Sequence, residues 1–347
     1  MCERLADHTT IGIGGCAERW ASGITESMIV AAAKEADAQG EPLLILGGGS
    51  NMLVSDDGFP GTVLAIENSY IKTDDVAACS GAFLEVGAGT ELDTLVQLAC
   101  ESGYRGIESL SGIPGTVGGA VIQNAGAYGQ ELSQTLARMR VYDRQEGRTR
   151  TLSVAEGKYG YRDSIFKHEP DRYVVLAAHF QFRLGDMSMP IRSGEVAELV
   201  GVQPGETAPL AQVRKAVLDV RRRKGMLLEA GDPDSRSAGS FFMNPILSKE
   251  EAAKLPADAP RYPAKGGVKT SAAWLIQHSG FDKGYGDGPA KLSSKHVLAI
   301  TNRGGASADD VLALAREVRG GVEQHYGIEL QPEPVLVGFT NGDGSSW

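Results

Sequence analysis

Cysteine, aromatic residues and positive charge are all in short supply in this sequence, and each shortage removes a class of explanation. The four cysteines, Cys2, Cys16, Cys79 and Cys100, form no C-x-x-C pair and no metal-ligand spacing with the six histidines. That argues against a disulfide-stapled secreted scaffold and against a zinc module. It predicts four reduced thiols in a cytosolic protein with no bound metal. Lysine and arginine number 34 against 44 acidic residues, a net charge of −10. Non-specific nucleic-acid binding leans on basic surface, so no nucleic-acid partner is expected. A local basic pocket for an anionic small molecule stays open. The opening "MCERLADHTTIG" has no apolar signal region. The uncharged run Ser109–Gln130 is long enough to cross a bilayer, but its glycines, Pro114, Gln123 and Asn124 make a poor membrane helix. The expectation is a cytoplasmic protein with no membrane partner. With no coiled coil and a net negative charge, a monomer is expected.

What the sequence does have is glycine, 45 residues of it, with no regular repeat and no low-complexity tail. Such abundance implies tight turns and close backbone approaches. Residues 24–40 read as a helix, with Thr25 as cap and Gly40 where a terminating glycine belongs. "PLLIL" (42–46), "GTVLAI" (61–66) and "AFLEVGAG" (82–89) read as strands. Residues 90–103 read as a helix with Leu92, Leu95, Val96 and Ala99 on one face. Further strands are predicted at 138–144, 173–182 and 296–302. Further helices are predicted at 207–224, at about 271–279 and at 307–326, the last with a Ser307–Asp310 capping pattern. "EAGDPDSRSAGS" (229–240) reads as a boundary loop. The final "IELQPEPVLVGF" reads as a broken strand. The chain is long enough for two or three domains, and the pattern is α+β or α/β with at least two lobes.

Two glycine loops stand out. "LGGGSN" (46–51) follows a strand, and "SGIPGTVGGAVIQNAGAYG" (111–129) is its longer partner. Glycine lets backbone N–H groups approach a ligand and point at it, and such groups bind phosphate without a lysine. Ser50, Asn51, Thr116 and Asn124 add neutral donors. Two such loops suit a long dianionic cofactor; the plainer reading is tight turns and close packing. A nicotinamide-type Rossmann domain is not supported. Gly12-Ile-Gly14-Gly15-Cys-Ala17 matches G-x-G-x-x-A in letters only, because "LADHTT" before it is no buried strand. No Walker A lysine motif is present.

Together, "LGGGSN" and "SGIPGTVGGAVIQNAGAYG" resemble the flavin-binding half of UDP-N-acetylenolpyruvoylglucosamine reductases. "YGYRDSIFK" (159–167), "AGSFFMNP" (238–245), "SAAWLI" (271–276) and "LQPEPVLVG" (330–338) extend the resemblance in order over nearly the whole chain. "YGYRDS" is similar to the subtype with an extra tyrosine-containing loop. The resemblance implies an α+β chain: a two-subdomain FAD-binding fold of the vanillyl-alcohol-oxidase type plus a smaller α/β substrate-binding domain. Here that gives FAD-binding subdomains at 1–72 and 73–225, a substrate domain at 226–330, and a tail, 331–347, returning to the first subdomain. It also implies the reaction. NADPH reduces non-covalent FAD, and the flavin reduces the enolpyruvyl ether of UDP-N-acetylglucosamine to UDP-N-acetylmuramate for peptidoglycan.

Such a reduction sends a hydride to an alkene carbon, builds negative charge toward the substrate carboxylate and needs a proton at the neighbouring carbon. By resemblance, Arg162 holds the developing charge, a task suited to a guanidinium that cannot deprotonate. Ser240 is the proton donor. Glu333, held between Pro332 and Pro334, is the second catalytic group. For the cofactor the resemblance implies Gly47, Gly48, Gly49, Ser50, Asn51, Ser111, Ile113, Pro114, Gly115, Thr116, Gly118, Asn124, Gly126, Ala127 and Arg221. For the substrate it implies Tyr161, Lys224, Asn244, Tyr262, Lys269 and His296. Taken singly, most of these residues also have plain structural readings: Arg162 beside Asp163 as a surface arginine, "RRRK" (221–224) as a solvated helix end, His296 as a strand histidine. Two positions depart from the family. Ser193 stands where the subtype often has a tyrosine over the uridine, and Met243 stands where many members have lysine.

Two other readings compete. One is a sugar or alcohol oxidase on the same FAD fold; covalent members often attach FAD through histidine, and none lies in 47–51 or 82–90. The other is a non-enzymatic nucleotide-sugar-binding protein, against which all three catalytic candidates argue.

Overall fold

The computed structural model describes residues 2–339. The chain divides into two compact units. The central unit comprises Ala17–Gly48 and Pro60–Arg223; the terminal unit comprises the described residues up to Cys16, Gly49–Phe59 and those from Lys224 onward.

In the central unit, helix Glu26–Gln39 begins where Thr25 Oγ1 accepts the Met28 N–H at 3.3 Å and ends at Gly40, whose φ of 66° needs no Cβ. Ile29, Ala33 and Ala36 are its buried face. Leu43–Leu46 then runs parallel to the strand ending at Ile66, with Leu43 opposite Thr62 and Leu46 opposite Ala65. The larger sheet is antiparallel, in the order Arg148–Ser153, Leu136–Asp143, Tyr173–Leu184, Gly81–Gly87, Ile71–Ala77. Strand alternation sends Leu84, Val86, Ala178 and Phe180 into the core. Against that face lie helix Leu92–Glu101, through the predicted stripe Leu92, Leu95, Val96 and Ala99, and helix Val117–Gln123. Each fully buried leucine here stabilises by roughly 1.5–3 kcal/mol, so Leu95→Ala would cost about 2–5 kcal/mol. Val117–Gln123 is the helix hidden inside the glycine-rich stretch. Helix Leu210–Arg223 buries Val213, Val217 and Val220 against Val196 and Ala197 of helix Gly194–Val200. Ser193 caps the latter, its Oγ accepting from Val196 N at 3.4 Å, so the residue that departs from the family pattern starts a helix.

In the terminal unit, Ile246–Leu247, Gly267–Lys269 and Tyr262–Ala264 form a small sheet in that order. A capping box of Ser307 and Asp310 starts helix Ala308–Tyr326. Val311, Leu314 and Val318 of that helix pack with Leu275, Ile276, Phe241 and Phe242. Val335–Val337 pairs in parallel with Met52–Val54.

Two expectations fail. Cys2 and Cys16 are not free thiols: they are joined in a disulfide, while Cys79 and Cys100 are free. The Leu5 N–H donates to Gly15 O at 2.8 Å and the Ala6 N–H to Gly14 O at 3.3 Å, folding 14–16 back beside 2–6. The two Cα atoms lie 5.7 Å apart, within bridging range, and no spacing rule foresees that return path. The predicted strand 296–302 is strand only at Ile300–Asn302. Before it the chain turns, with Ala299 N donating to His296 O at 3.1 Å and Ser293 N to Ala299 O at 2.8 Å. Capture of the Ser293 and Ser294 side chains by a buried aspartate, described below, overrides the apolar pattern.

Candidate active site

The two glycine loops meet in the central unit. A Cβ on Gly47 would lie 2.5 Å from Thr116 Oγ1, and one on Gly48 would lie 2.6 Å from Gly115 Cα. Only glycine permits that approach. Thr116 Oγ1 is itself buried and, among the described residues, has no hydrogen-bond partner. An orphaned hydroxyl beside a strip of backbone without side chains is costly unless a ligand satisfies it. That arrangement suits the diphosphate of FAD, held by neutral donors.

The rest of the long loop is fastened from behind. Asp93 Oδ1 accepts the Gly112 N–H at 2.6 Å, and the Asp93 carboxylate receives both Arg214 guanidinium nitrogens at 2.7 and 2.8 Å. Arg221 Nε donates to Gly112 O at 3.1 Å. Burial presses the Arg221 pKa down, while Tyr128 and Asp93 oppose that shift. Burial pushes Tyr128 up to about 12, so at neutral pH its hydroxyl keeps its proton. Arg221 thus places a buried cation on the Gly112 carbonyl of the long glycine loop. Glu108, at the start of the stretch, is only 1% exposed. Its Oε1 accepts from Gln130 Nε2 at 2.8 Å and Met189 N at 2.6 Å, and its Oε2 from Gly106 N at 2.7 Å. Ser111 is fully buried and turns its Oγ onto Glu108 O at 2.7 Å. Gly118 donates its N–H to Ala88 O at 2.8 Å, and a Cβ there would sit 3.0 Å from the Ala88 Cβ. Ser111 and Gly118 thus serve loop and helix packing. The Ile113 N–H is used as well, on Leu110 O at 3.2 Å.

Arg162 lies in the same unit. Its backbone has φ 53°, and Asn124 and Tyr128 have φ 49° and 50°, in the left-handed region that side chains rarely enter. Arg162 Nη2 donates to Gly126 O at 2.5 Å, and its guanidinium lies 5.2 Å from the centroid of the Tyr161 ring. The Lys167 ammonium donates to Arg162 O at 2.9 Å and to Gln123 Oε1 at 3.2 Å. Asn124 is fully committed: Nδ2 donates to Gly160 O at 2.8 Å, and Oδ1 accepts from Ser133 N at 3.1 Å. The tyrosine–arginine segment is thereby tied to the end of helix Val117–Gln123. Ala127 and Gly126 pair with Gln130 and Glu131 in a short hairpin.

Ser240 and Glu333 lie in the terminal unit. The Phe241 N–H donates to Leu298 O at 2.6 Å, the Glu333 N–H to Phe241 O at 2.9 Å, and the Met243 N–H to Gln331 O at 2.9 Å. These bonds set the Ser240 segment directly beside the Pro332–Glu333–Pro334 segment. Phe241 and Phe242 are buried, with ring centroids 5.3 Å apart, and keep that side apolar. Asn51 fixes the other edge: its Nδ2 donates to Glu333 O at 3.3 Å and its backbone O accepts from Val335 N at 3.0 Å. Gly49, with φ 58° and a carbonyl accepting from Thr10 N at 3.1 Å, and the half-buried Ser50 precede it. Tyr262 and Lys269 are cross-strand partners. Asn244 Oδ1 accepts from Ala272 N at 2.9 Å, at the start of helix Ala272–His278. Lys224 is half-buried in this unit.

The residue that sequence reasoning missed is Asp234, inside the stretch read as a boundary loop. Only 4% exposed, its carboxylate accepts from Ser293 Oγ, Ser294 N and Ser294 Oγ, each at 2.7 Å, and from Arg303 Nη2 at 2.5 Å. Those bonds outweigh the cost of burial and lower its pKa to about 2. Ser293 Oγ in turn accepts the His296 N–H at 3.2 Å, so the turn carrying His296 hangs from Asp234. The second aspartate of "DPDSRS" carries no sequence sign of this role.

A family model described as "FAD binding domain" matches residues 24–153, and one described as "UDP-N-acetylenolpyruvoylglucosamine reductase, C-terminal domain" matches 232–337. The chain is 50% identical to the UDP-N-acetylenolpyruvoylglucosamine reductase of Thermobifida fusca, over 97% of both chains. It is 49% identical to that of Cutibacterium acnes, over 97% of this chain and 89% of the relative. The crystal structure of the Thermus caldophilus reductase superposes with a TM-score of 0.63 at 29% identity, over 97% of this chain and 99% of the other.

Proposed function

Because the chain belongs to the UDP-N-acetylenolpyruvoylglucosamine reductase family, we propose that it reduces the enolpyruvyl ether of UDP-N-acetylglucosamine to UDP-N-acetylmuramate, with non-covalent FAD as cofactor and NADPH as reductant. The likeness to the Thermobifida fusca reductase, even over both chains, carries this reading. When bound, FAD supplies the hydride that the substrate's alkene carbon receives.

The protein's own residues supply the rest. Thr116 Oγ1 and the Gly47–Gly48 and Gly115 backbone receive the cofactor diphosphate, with Arg221 as its nearby cation. Arg162 offers guanidinium N–H groups now resting on Gly126 O; the substrate carboxylate takes them over and is stabilised as negative charge builds. Ser240 delivers a proton from Oγ to the carbon next to the one reduced. A serine hydroxyl is a weak acid, so its orientation and the dry wall of Phe241 and Phe242 matter. Glu333, aimed by two prolines and its bond to Phe241 O, assists that transfer. Lys224, Tyr262, Lys269 and His296 hold the UDP-sugar, Asn244 through its remaining amide nitrogen, with Tyr161 beside Arg162. The domain division is proposed as FAD-binding at 1–72 and 73–225, substrate-binding at 226–330, and a returning tail. The enzyme works as a cytoplasmic monomer; no described helix is long and apolar enough to cross a membrane.

An anaerobic visible spectrum tests the reading. NADPH should bleach a bound-flavin band, and the enolpyruvyl UDP-sugar should restore it without oxygen. Recovery only with oxygen would make the protein an oxidase. No flavin after reconstitution with FAD would sink the cofactor assignment.

A further inference from the structure

We propose that the large sheet of the central unit carries a divalent transition-metal site, formed by Asp74, Glu85 and His179 on the face away from the glycine loops. Strand alternation puts Leu84, Val86, Ala178 and Phe180 into the core beneath helix Val117–Gln123, and Glu85 and His179 on the other side. In the sheet register Glu85 stands directly opposite His179. A register shift between Thr73 and Asp75 leaves Asp74 as the extra residue of a bulge, a device that re-aims a side chain. One imidazole nitrogen and one carboxylate oxygen from each acid then lie within 4.8 Å of one another. A metal with bonds of about 2.0–2.2 Å to such donors needs only small side-chain adjustments to fit.

The buried histidine is the second observation. His179 is 6% exposed, and its Nδ1 is buried with no hydrogen-bond partner among the described residues. An unpaired buried nitrogen is expensive, and a metal bound to it would relieve it. Phe83 stacks against the imidazole, with centroids 5.8 Å apart, and holds it in place. Glu85 Oε1 accepts from Tyr70 Oη at 2.8 Å and Lys72 Nζ at 3.5 Å; neither bond uses Oε2. One nitrogen and two carboxylate oxygens favour Zn²⁺ or Mn²⁺ over Ca²⁺ or Mg²⁺, which prefer all-oxygen shells. Lys72 and Arg138 flank the site and oppose a cation, so binding should be moderate and mainly structural, tying Ile71–Ala77 to the sheet.

The test is calorimetric titration of Zn²⁺ into the full-length, flavin-loaded protein after chelator treatment. One Zn²⁺ per chain should bind to the wild type. His179→Gln should abolish that binding, and Asp74→Asn should weaken it at least tenfold. Asp74 is exposed, so its variant tests the site even if the His179 variant fails to fold. A wild type that takes up no Zn²⁺, or an Asp74→Asn protein that binds as the wild type does, would overturn the assignment.

Discussion

Glu333 donates its backbone N–H to the carbonyl of Phe241, the residue after Ser240, at 2.9 Å. Ser240, the proposed proton donor, and Glu333, far apart in sequence, are thereby set on adjoining segments. Ser240→Ala should leave flavin reduction by NADPH intact and slow substrate turnover about 10²–10⁴-fold, the usual worth of a positioned acid. Stopped-flow separation of the two half-reactions checks this; unchanged turnover would remove Ser240 from the mechanism. Glu333→Gln should show the same split.

Among the described residues, Thr116 Oγ1 has no hydrogen-bond partner to lose. Thr116→Val should therefore leave the melting temperature of the FAD-free protein unchanged or slightly raised. It should weaken FAD binding roughly fivefold to tenfold, about one hydrogen bond. Gly48→Ala should weaken both, because its Cβ would lie 2.6 Å from Gly115 Cα, a backbone atom that cannot step aside. Flavin fluorescence titration with thermal melts distinguishes the two variants.

Arg162 sits at φ 53° with its guanidinium on Gly126 O. Arg162→Lys keeps the charge and loses the planar fork, so kcat should fall about 10²-fold while the flavin stays bound. Steady-state kinetics beside a flavin-content measurement is the check. Wild-type kcat in this variant would leave Arg162 a structural residue.

Asp234 titrates at about 2 when folded, against about 3.9 for an unfolded aspartate. A depressed carboxylate pKa adds stability above the unfolded value, and that stability is lost as pH falls through the folded one. Asp234→Asn should thus cost about 2–3 kcal/mol at pH 7. The gap to wild type should narrow between about pH 4 and pH 2. Denaturant melts across that range measure it; a pH-independent gap would mean the cost is packing alone. Because the His296 turn hangs on Asp234, KM for the UDP-sugar should rise as well.

The Cys2–Cys16 bridge closes a short loop, with a sequence separation of 14. Its loss should destabilise by about 3 kcal/mol on loop-closure grounds. Cys2→Ser should lower the melting temperature under non-reducing conditions, and a thiol reductant should lower the wild type to match. A wild type insensitive to reductant would show the thiols unbonded in solution.

Local order was legible in the sequence, because caps and periodicity act over a few residues. Thr25 and Gly40 bounded a helix that the fold reproduces. Ser307 and Asp310 formed the capping box, and Leu92, Leu95, Val96 and Ala99 marked a buried face. The glycine loops were readable for the same reason: backbone exposed over several consecutive residues is a local property. Where chemistry depends on distant partners, the sequence was silent. The meeting of Gly47–Gly48 with Gly115–Thr116, the Phe241–Glu333 bond, the carboxylate of Asp234 and the Cys2–Cys16 bridge all join segments that only the folded chain brings together. So does the row Asp74, Glu85 and His179, which exists because strand register decides which side chains share a face. Sequence by itself determined the longer helices, the glycine-built loops and the residue types available for a reduction. Tertiary structure decided which of those residues share a neighbourhood, since burial and hydrogen bonding between remote segments set both charge and position.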